Sequence, residues 1–285
     1  MSSFKAACVQ LRSGKSLPDN TAAAESLIRA AASDGAEYVQ TPEMSNVLVR
    51  SRDELMERIS EPEGDPFLTR ARELAAELGI YLHIGSLAVL AGNGKVANRA
   101  FMIAPDGQVL ASYDKIHMFD VDLPNGESWR ESATYEPGTL SVIAELPFAK
   151  VGMAVCYDIR FPAIFRSQAR AGAHVLTAPA AFTRQTGEAH WHVLQRARAI
   201  ENGAFVISAA QGGTHEDGRQ TYGHSLVVDP WGAVIAELDH DEPGYVLADI
   251  DTEKKVAKAR GRIPAIANER DFVCRLADGL KEISA

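Results

Sequence analysis

The stretch Val151-Gly152-Met153-Ala154-Val155-Cys156-Tyr157-Asp158-Ile159-Arg160-Phe161-Pro162 decides how this chain is read. Its first half is a short apolar run closed by a polar turn, the pattern of a buried strand. Residues 161–171 then repeat apolar side chains at helical spacing, with Pro near the start. A strand feeding a helix is the unit of a sheet covered by helices. Cys156 therefore stands at a strand end, where α/β sheets present their reactive groups. The N–H groups and positive dipole end of the following helix would favour thiolate over thiol there. The competing reading is core filler, because a lone cysteine after a buried strand packs as a small apolar side chain.

The same alternation extends outward from this stretch. Residues 4–10, 37–41, 80–89, 96–104 and 109–113 read as strands, as do 140–145, 150–155, 174–178, 204–209, 225–228, 233–238 and 245–250. Helical spacing marks 19–32, 66–78, 188–202 and 251–260, with Gly79 and Gly203 as stops. Pro105-Asp106-Gly107 and Pro230-Trp231-Gly232 read as hairpin turns. Only 117–138 is long and irregular, rich in Asp, Pro, Gly and Glu, and such a loop reads as the rim of a site. No repeat, low-complexity segment or linker divides the chain. One domain over 1–285 is expected, with 252–285 a helix and tail that serve dimer contacts.

Composition narrows the function classes. With 46% hydrophobic and 24% charged residues in 285, the chain is an ordinary globular α/β protein. A net charge of −9 without any basic run argues against nucleic acid and against anionic membrane surfaces. No apolar stretch is long enough to span a bilayer, and residues 4–11 are too short and interrupted for a secretion signal. The three cysteines lie far apart with no Cys-x-x-Cys pair, so neither a disulfide framework nor a thiolate zinc site is expected. A reducing, cytoplasmic location fits this pattern. Cys8 sits inside the first strand as core filler, and Cys274 has nothing nearby to activate it.

Two other residues share the placement of Cys156. Glu43 follows Pro42 at the end of one strand, and Lys115 follows Tyr113-Asp114 at the end of another. Taken singly, each reads as a solvated surface charge. Together with Cys156 they occupy three C-terminal strand ends, where an α/β sheet builds its site.

At this point the segments resemble a family. Tyr38-Val39-Gln40-Thr41-Pro42-Glu43, Tyr113-Asp114-Lys115-Ile116-His117 and the cysteine stretch are similar, in order, to the three catalytic segments of the nitrilase superfamily, the carbon–nitrogen hydrolases. The resemblance implies a four-layer α-β-β-α sandwich, a Glu43–Lys115–Cys156 triad and homodimers formed sandwich against sandwich. It also implies a supporting role for Glu131, within Trp129-Arg130-Glu131-Ser132, in orienting Lys115 and the substrate amide. Finer stretches look like the amidase branch that acts on deaminated glutathione and related keto-amides. These are His117-Met118-Phe119-Asp120-Val121, Gly187-Glu188-Ala189-His190-Trp191 and Tyr222-Gly223-His224-Ser225, with Ala209-Ala210-Gln211 before a Gly-rich loop. Thr41 departs from the bulky apolar residue common before Pro-Glu, and the chain after Asp251 matches poorly.

Amide hydrolysis needs a nucleophile, a proton carrier and a seat for negative oxygen. In the implied mechanism Cys156 attacks, Glu43 moves the proton, and Lys115 with the backbone N–H of Tyr157 holds the oxyanion. No metal or organic cofactor is called for. For substrate binding, Arg160 is expected to pair with a carboxylate or else with Asp158. Phe182 and Thr183 are expected to form a wall, and Glu188, His190 and Trp191 to close the pocket. A papain-like Cys–His pair, a metal cluster of His190, His192, His215 and His224, and a catalytically silent scaffold are the rival readings.

Overall fold

A computed structural model describes residues 3–92, 94–124 and 126–274. The first half contains β1 (Ser3–Gln10), α1 (Leu17–Ser33), β2 (Tyr38–Gln40), α2 (Arg52–Met56), α3 (Pro66–Leu78), β3 (Tyr81–Ala91), β4 (Lys95–Ile103), β5 (Val109–Asp114), β6 (Asp120–Asp122) and β7 (Ser128–Arg130). The second contains β8 (Val142–Leu146), β9 (Ala149–Met153), α4 (Pro162–Arg170), β10 (Val175–Thr177), α5 (Arg184–Asn202), β11 (Phe205–Ser208) and β12 (Gly212–Thr214). It ends with β13 (Gln220–Tyr222), β14 (Leu226–Val228), β15 (Val234–Glu237), β16 (Gly244–Asp251) and α6 (Ala257–Arg262).

Two six-stranded sheets result, ordered β16-β1-β2-β3-β4-β5 and β15-β14-β11-β10-β9-β8. In each, three central strands run parallel, β1-β2-β3 and β9-β10-β11, with antiparallel neighbours outside. Parallel strands require crossovers, and α1, α3, α4 and α5 supply them. The sheets close on each other around Ala6, Met102, Val151, Val175 and Phe205. On the outer face of the first sheet α1 and α3 bury Ile28, Phe67 and Leu74. On that of the second, α4 and α5 bury Phe165, Trp191 and Ala199. Each large side chain so removed from water contributes roughly 1.5–3 kcal/mol before chain entropy is counted. The layers are α-β-β-α, as the resemblance implied.

Local chemistry sets the element ends. Asp65 caps α3 by accepting from Leu68 N at 2.8 Å, Pro66 opens it and Gly79 closes it at φ 66°. Between the sheets, the buried amides of Gln10 and Gln40 accept from Ser225 N at 2.9 Å and Ala209 N at 2.8 Å. These buried polar groups are satisfied, and they fix how one sheet sits on the other.

Several elements differ from the sequence reading. The stretch 117–138 holds the β6–β7 hairpin, pinned where Arg130 forks onto Asp122 at 2.9 Å. β12 and β13 form another hairpin. Both pairs consist of three-residue strands, too short for alternation to register. The last helix begins as a π turn, Thr252–Val256, before α6. Residues 275–285 of the expected tail lie outside the described residues.

Candidate active site

The C-terminal ends of β2, β5 and β9 bring Glu43, Lys115 and Cys156 together. After β2 the chain turns at Thr41-Pro42, and β3 passes close beneath this turn at Gly85. A Cβ on Gly85 would lie 2.0 Å from the Thr41 carbonyl oxygen and 2.5 Å from Pro179 Cβ, so only glycine fits. Pro179 in turn accepts from Cys156 N at 2.9 Å. One glycine thus lets the Glu43 and Cys156 segments settle against the same strand.

Cys156 opens a 3₁₀ turn, Cys156–Arg160, with φ +49°, and Met44, the residue after Glu43, has φ +56°. Left-handed backbone at non-glycine residues costs on the order of 1–3 kcal/mol each and collects at functional sites. The surrounding bonds hold it there. Asp158, fully buried, accepts from Val155 N at 2.8 Å and Tyr113 OH at 2.7 Å through Oδ2, and from His117 N at 3.0 Å through Oδ1. Tyr113 and His117 flank Lys115 in sequence, so one carboxylate locks the lysine segment to the cysteine turn. Arg198 adds a bond from Nε to the Ile159 carbonyl at 2.9 Å.

At the centre, Lys115 Nζ donates to Glu43 Oε1 at 2.9 Å and to both oxygens of Glu131 at 2.9 and 2.8 Å. Glu43 Oε1 also accepts from Asn98 Nδ2 at 2.8 Å, its Oε2 accepts from Ala181 N at 2.8 Å, and the Cys156 thiol lies beside the same carboxylate. Burial opposes charge on Glu43. The Lys115 ammonium and these hydrogen bonds outweigh it and hold the carboxyl below its usual range. Burial likewise opposes charge on Lys115, and Glu131 and Glu43 override it to keep the ammonium protonated well above its usual range.

For Cys156 the structure corrects the sequence expectation of a resting thiolate. Burial and then the Glu43 carboxylate push the thiol well above its ordinary value, and Lys115 only partly offsets them. The charges explain this outcome. The floor already carries two carboxylates and one ammonium, and a thiolate would be a third anion. The helix expected to lower the thiol pKa begins only at Pro162, beyond the 3₁₀ turn.

Lys115→Met would strand Glu43 and Glu131 without their counter-ion. We expect a stability loss on the order of 3–5 kcal/mol, read as a lower urea midpoint. An unchanged midpoint would show that the ammonium is not what holds the carboxylates in place.

Above this floor lies a cavity of about 350 Å³. Phe182 and Thr183 line it, as expected, together with Tyr157, Glu131, Phe119, Trp129, Tyr135 and the Met44, Val47, Leu48 wall. Four expected rim residues do not. Glu188 and His190 are exposed, because α5 begins at Arg184, four residues before the helix expected from 188, so its first turn brings Thr186 to the cavity instead. Trp191 is buried behind Phe182, their centroids 5.2 Å apart, and donates to the His224 carbonyl at 2.8 Å. Arg160 lies over the Phe182 ring at 5.2 Å and meets His190 Nδ1 at 3.3 Å, and it pairs neither with Asp158 nor with the cavity. The sequence reading missed Asn98, Arg50, Trp129 and Arg219. Asn98 lies beside the charged Arg99 in β4, and none of the four carries a local signal in the sequence.

The rival constellations find no geometry. No histidine lines the cavity. His192 pairs with Glu237, and His215 contacts Ser13 O at 2.8 Å and Thr221 Oγ1 at 2.7 Å. Among the described residues no three His, Cys, Asp or Glu side chains gather as a metal site. No helix among them is long and apolar enough to cross a membrane.

Comparison with known proteins matches residues 5–259 to the family described as carbon-nitrogen hydrolase. A Yersinia enterocolitica protein named deaminated glutathione amidase is 36% identical over 99% of this chain and 98% of its own. The human protein named omega-amidase NIT2 is 38% identical over 95% of this chain and 96% of its own. Among solved structures, the C. elegans NitFhit protein superposes with a TM-score of 0.87 at 32% identity, covering 99% of this chain and 72% of that one.

Proposed function

Because the chain belongs to the carbon–nitrogen hydrolase family and is such an enzyme, we propose that it cleaves the amide of a small carboxylate-bearing keto acid through a thioester on Cys156. The observation that carries this reading is the meeting of the Glu43 carboxylate, the Lys115 ammonium and the Cys156 thiol on one buried floor. The thiol attacks the amide carbon while its proton passes to Glu43, so negative charge leaves the crowded floor for the substrate oxygen. Lys115 and the Tyr157 backbone N–H receive that oxyanion. Glu43 delivers the proton to the departing amine, then draws one from the water that attacks the thioester. Glu131 keeps the ammonium aimed at the substrate.

The substrate class follows the deaminated glutathione amidases among the relatives. An omega-amidase is the second reading, favoured by the comparable identity to the human protein of that name. Ammonia or amine release from a panel of 2-oxo acid amides, uncharged amides and nitriles tests the proposal. Turnover of the keto-amides is expected, and exclusive nitrile turnover would sink it.

We also propose a homodimer paired through α5. Val193 and Ile200 on that helix are 67% and 51% exposed, and Trp231 in the adjoining turn is 58% exposed. Arg196 between them donates to the Gly232 carbonyl at 2.8 Å, which joins helix and turn into one apolar face. Light scattering should show a dimer that Ile200→Asp converts to monomer; a wild-type monomer would contradict it. A cytoplasmic home belongs to the same reading, since the thiol must stay reduced. Recovery from a secreted fraction would contradict that.

A further inference from the structure

The mouth of the cavity carries charge that the chemistry on its floor does not use. Arg50 and Arg219, from loops far apart in sequence, each place a guanidinium 4.6 Å from the indole of Trp129. All three residues line the cavity. Two cations held against one ring stand no farther apart than twice that distance, a repulsive arrangement unless an anion joins them. The other arginine of the wall, Arg130, is committed to Asp122, and the cavity's carboxylates, Glu43 and Glu131, are engaged by Lys115 on the floor. Arg50 makes no ion pair among the described residues. Arg219 has a side chain only 16% exposed, one ion pair at 3.4 Å to Asp217, and a buried Nε with no hydrogen-bond partner. A buried guanidinium N–H left unpaired costs free energy, so Arg219 is held short of its full set of partners. In a chain of net charge −9 this mouth is locally cationic.

We propose that Arg50 and Arg219, braced on Trp129, clamp a substrate carboxylate remote from the scissile carbonyl, so that the enzyme selects anionic amides. The inference rests on the amidase reading and reassigns to these two residues the role the sequence suggested for Arg160. Guanidinium forks match a carboxylate bidentately, and the indole face fixes them without neutralising them. A neutral substrate leaves the fork unpaired and loses the binding that the anionic one keeps.

The test compares kcat/KM for succinamate and its uncharged methyl ester in the wild type, Arg50→Gln, Arg219→Gln and the double variant. Calorimetry with glutarate provides a readout independent of turnover. Wild type should favour succinamate by roughly 10- to 100-fold, and each substitution should erode that ratio until the double variant approaches unity. Glutarate binding should disappear in parallel. Because Arg50 is exposed, its variant keeps the test informative if Arg219→Gln folds poorly. A ratio that survives both substitutions overturns the clamp, as does a wild type that does not bind glutarate. So does equal loss of both substrates with glutarate binding intact. Arginine-dependent glutarate binding without hydrolysis of either amide would instead keep the clamp and remove the amidase reading.

Discussion

Cys156→Ala should abolish amide hydrolysis, lowering kcat by on the order of 10⁴-fold or more, while the protein stays folded. The loss is expected to be this large because nothing else on the floor can form the covalent intermediate. Glu43 and Lys115 are held to each other at 2.9 Å, and Cys8, the other buried cysteine, has its thiol pushed up to about 12 inside the core. Removing one sulfur from a tight site creates only a small void, so a thermal midpoint within a few degrees of wild type should accompany the loss. Residual activity above a hundredth of wild type, with folding intact, would mean that water is activated directly and the thioester scheme is wrong.

Glu43→Gln should separate thiol ionisation from catalysis. The substitution preserves shape and removes the proton carrier, so kcat should fall by roughly 10²–10⁴. The neighbouring Glu43 carboxylate is also among the causes that raise the thiol, whereas Lys115 lowers it. Without the carboxylate, the thiolate absorbance step near 240 nm should therefore move to lower pH than in wild type. A more ionised cysteine in a nearly dead enzyme is the signature of proton transfer during attack. Loss of activity with the thiol step unmoved would contradict it. The sign in pH follows from the same pair. A carboxyl held below its usual value of 4.5 keeps its base form as pH falls through that range, so the acid limb of kcat/KM should lie below 4.5. The stability Glu43 contributes is present above its unfolded value and lost as pH falls through its depressed one.

What the sequence made legible was whatever repeats or sits at a boundary. Helices with caps and apolar stripes read well, as α3 shows with Asp65, Pro66 and Gly79. Strand ends read equally well, and three of them carried Glu43, Lys115 and Cys156. Contacts made across the chain did not read. Asn98 serves Glu43 over 55 positions and Ala181 serves it over 138, and neither distance leaves a local trace. The rim failed for the same reason. Glu188, His190 and Trp191 read as rim residues only from their nearness to a helix start, and a start four residues earlier turns two of them to solvent and one into the core. Arg50 and Arg219 lie in segments with no period at all, so only the folded hairpins reveal that they share Trp129. The thiol's protonation is not legible either, because the helix dipole is visible in sequence while burial beside a carboxylate is not.

Acyl transfer is expected to pass through the sulfur of Cys156. Rapid acid quench of the enzyme during turnover of a 2-oxo acid amide, followed by peptide-level mass spectrometry, tests it most directly. The acyl mass should appear on the Cys156 peptide before product and be released by hydroxylamine. An acyl group on any other residue, or turnover with no covalent species at any quench time, would contradict it.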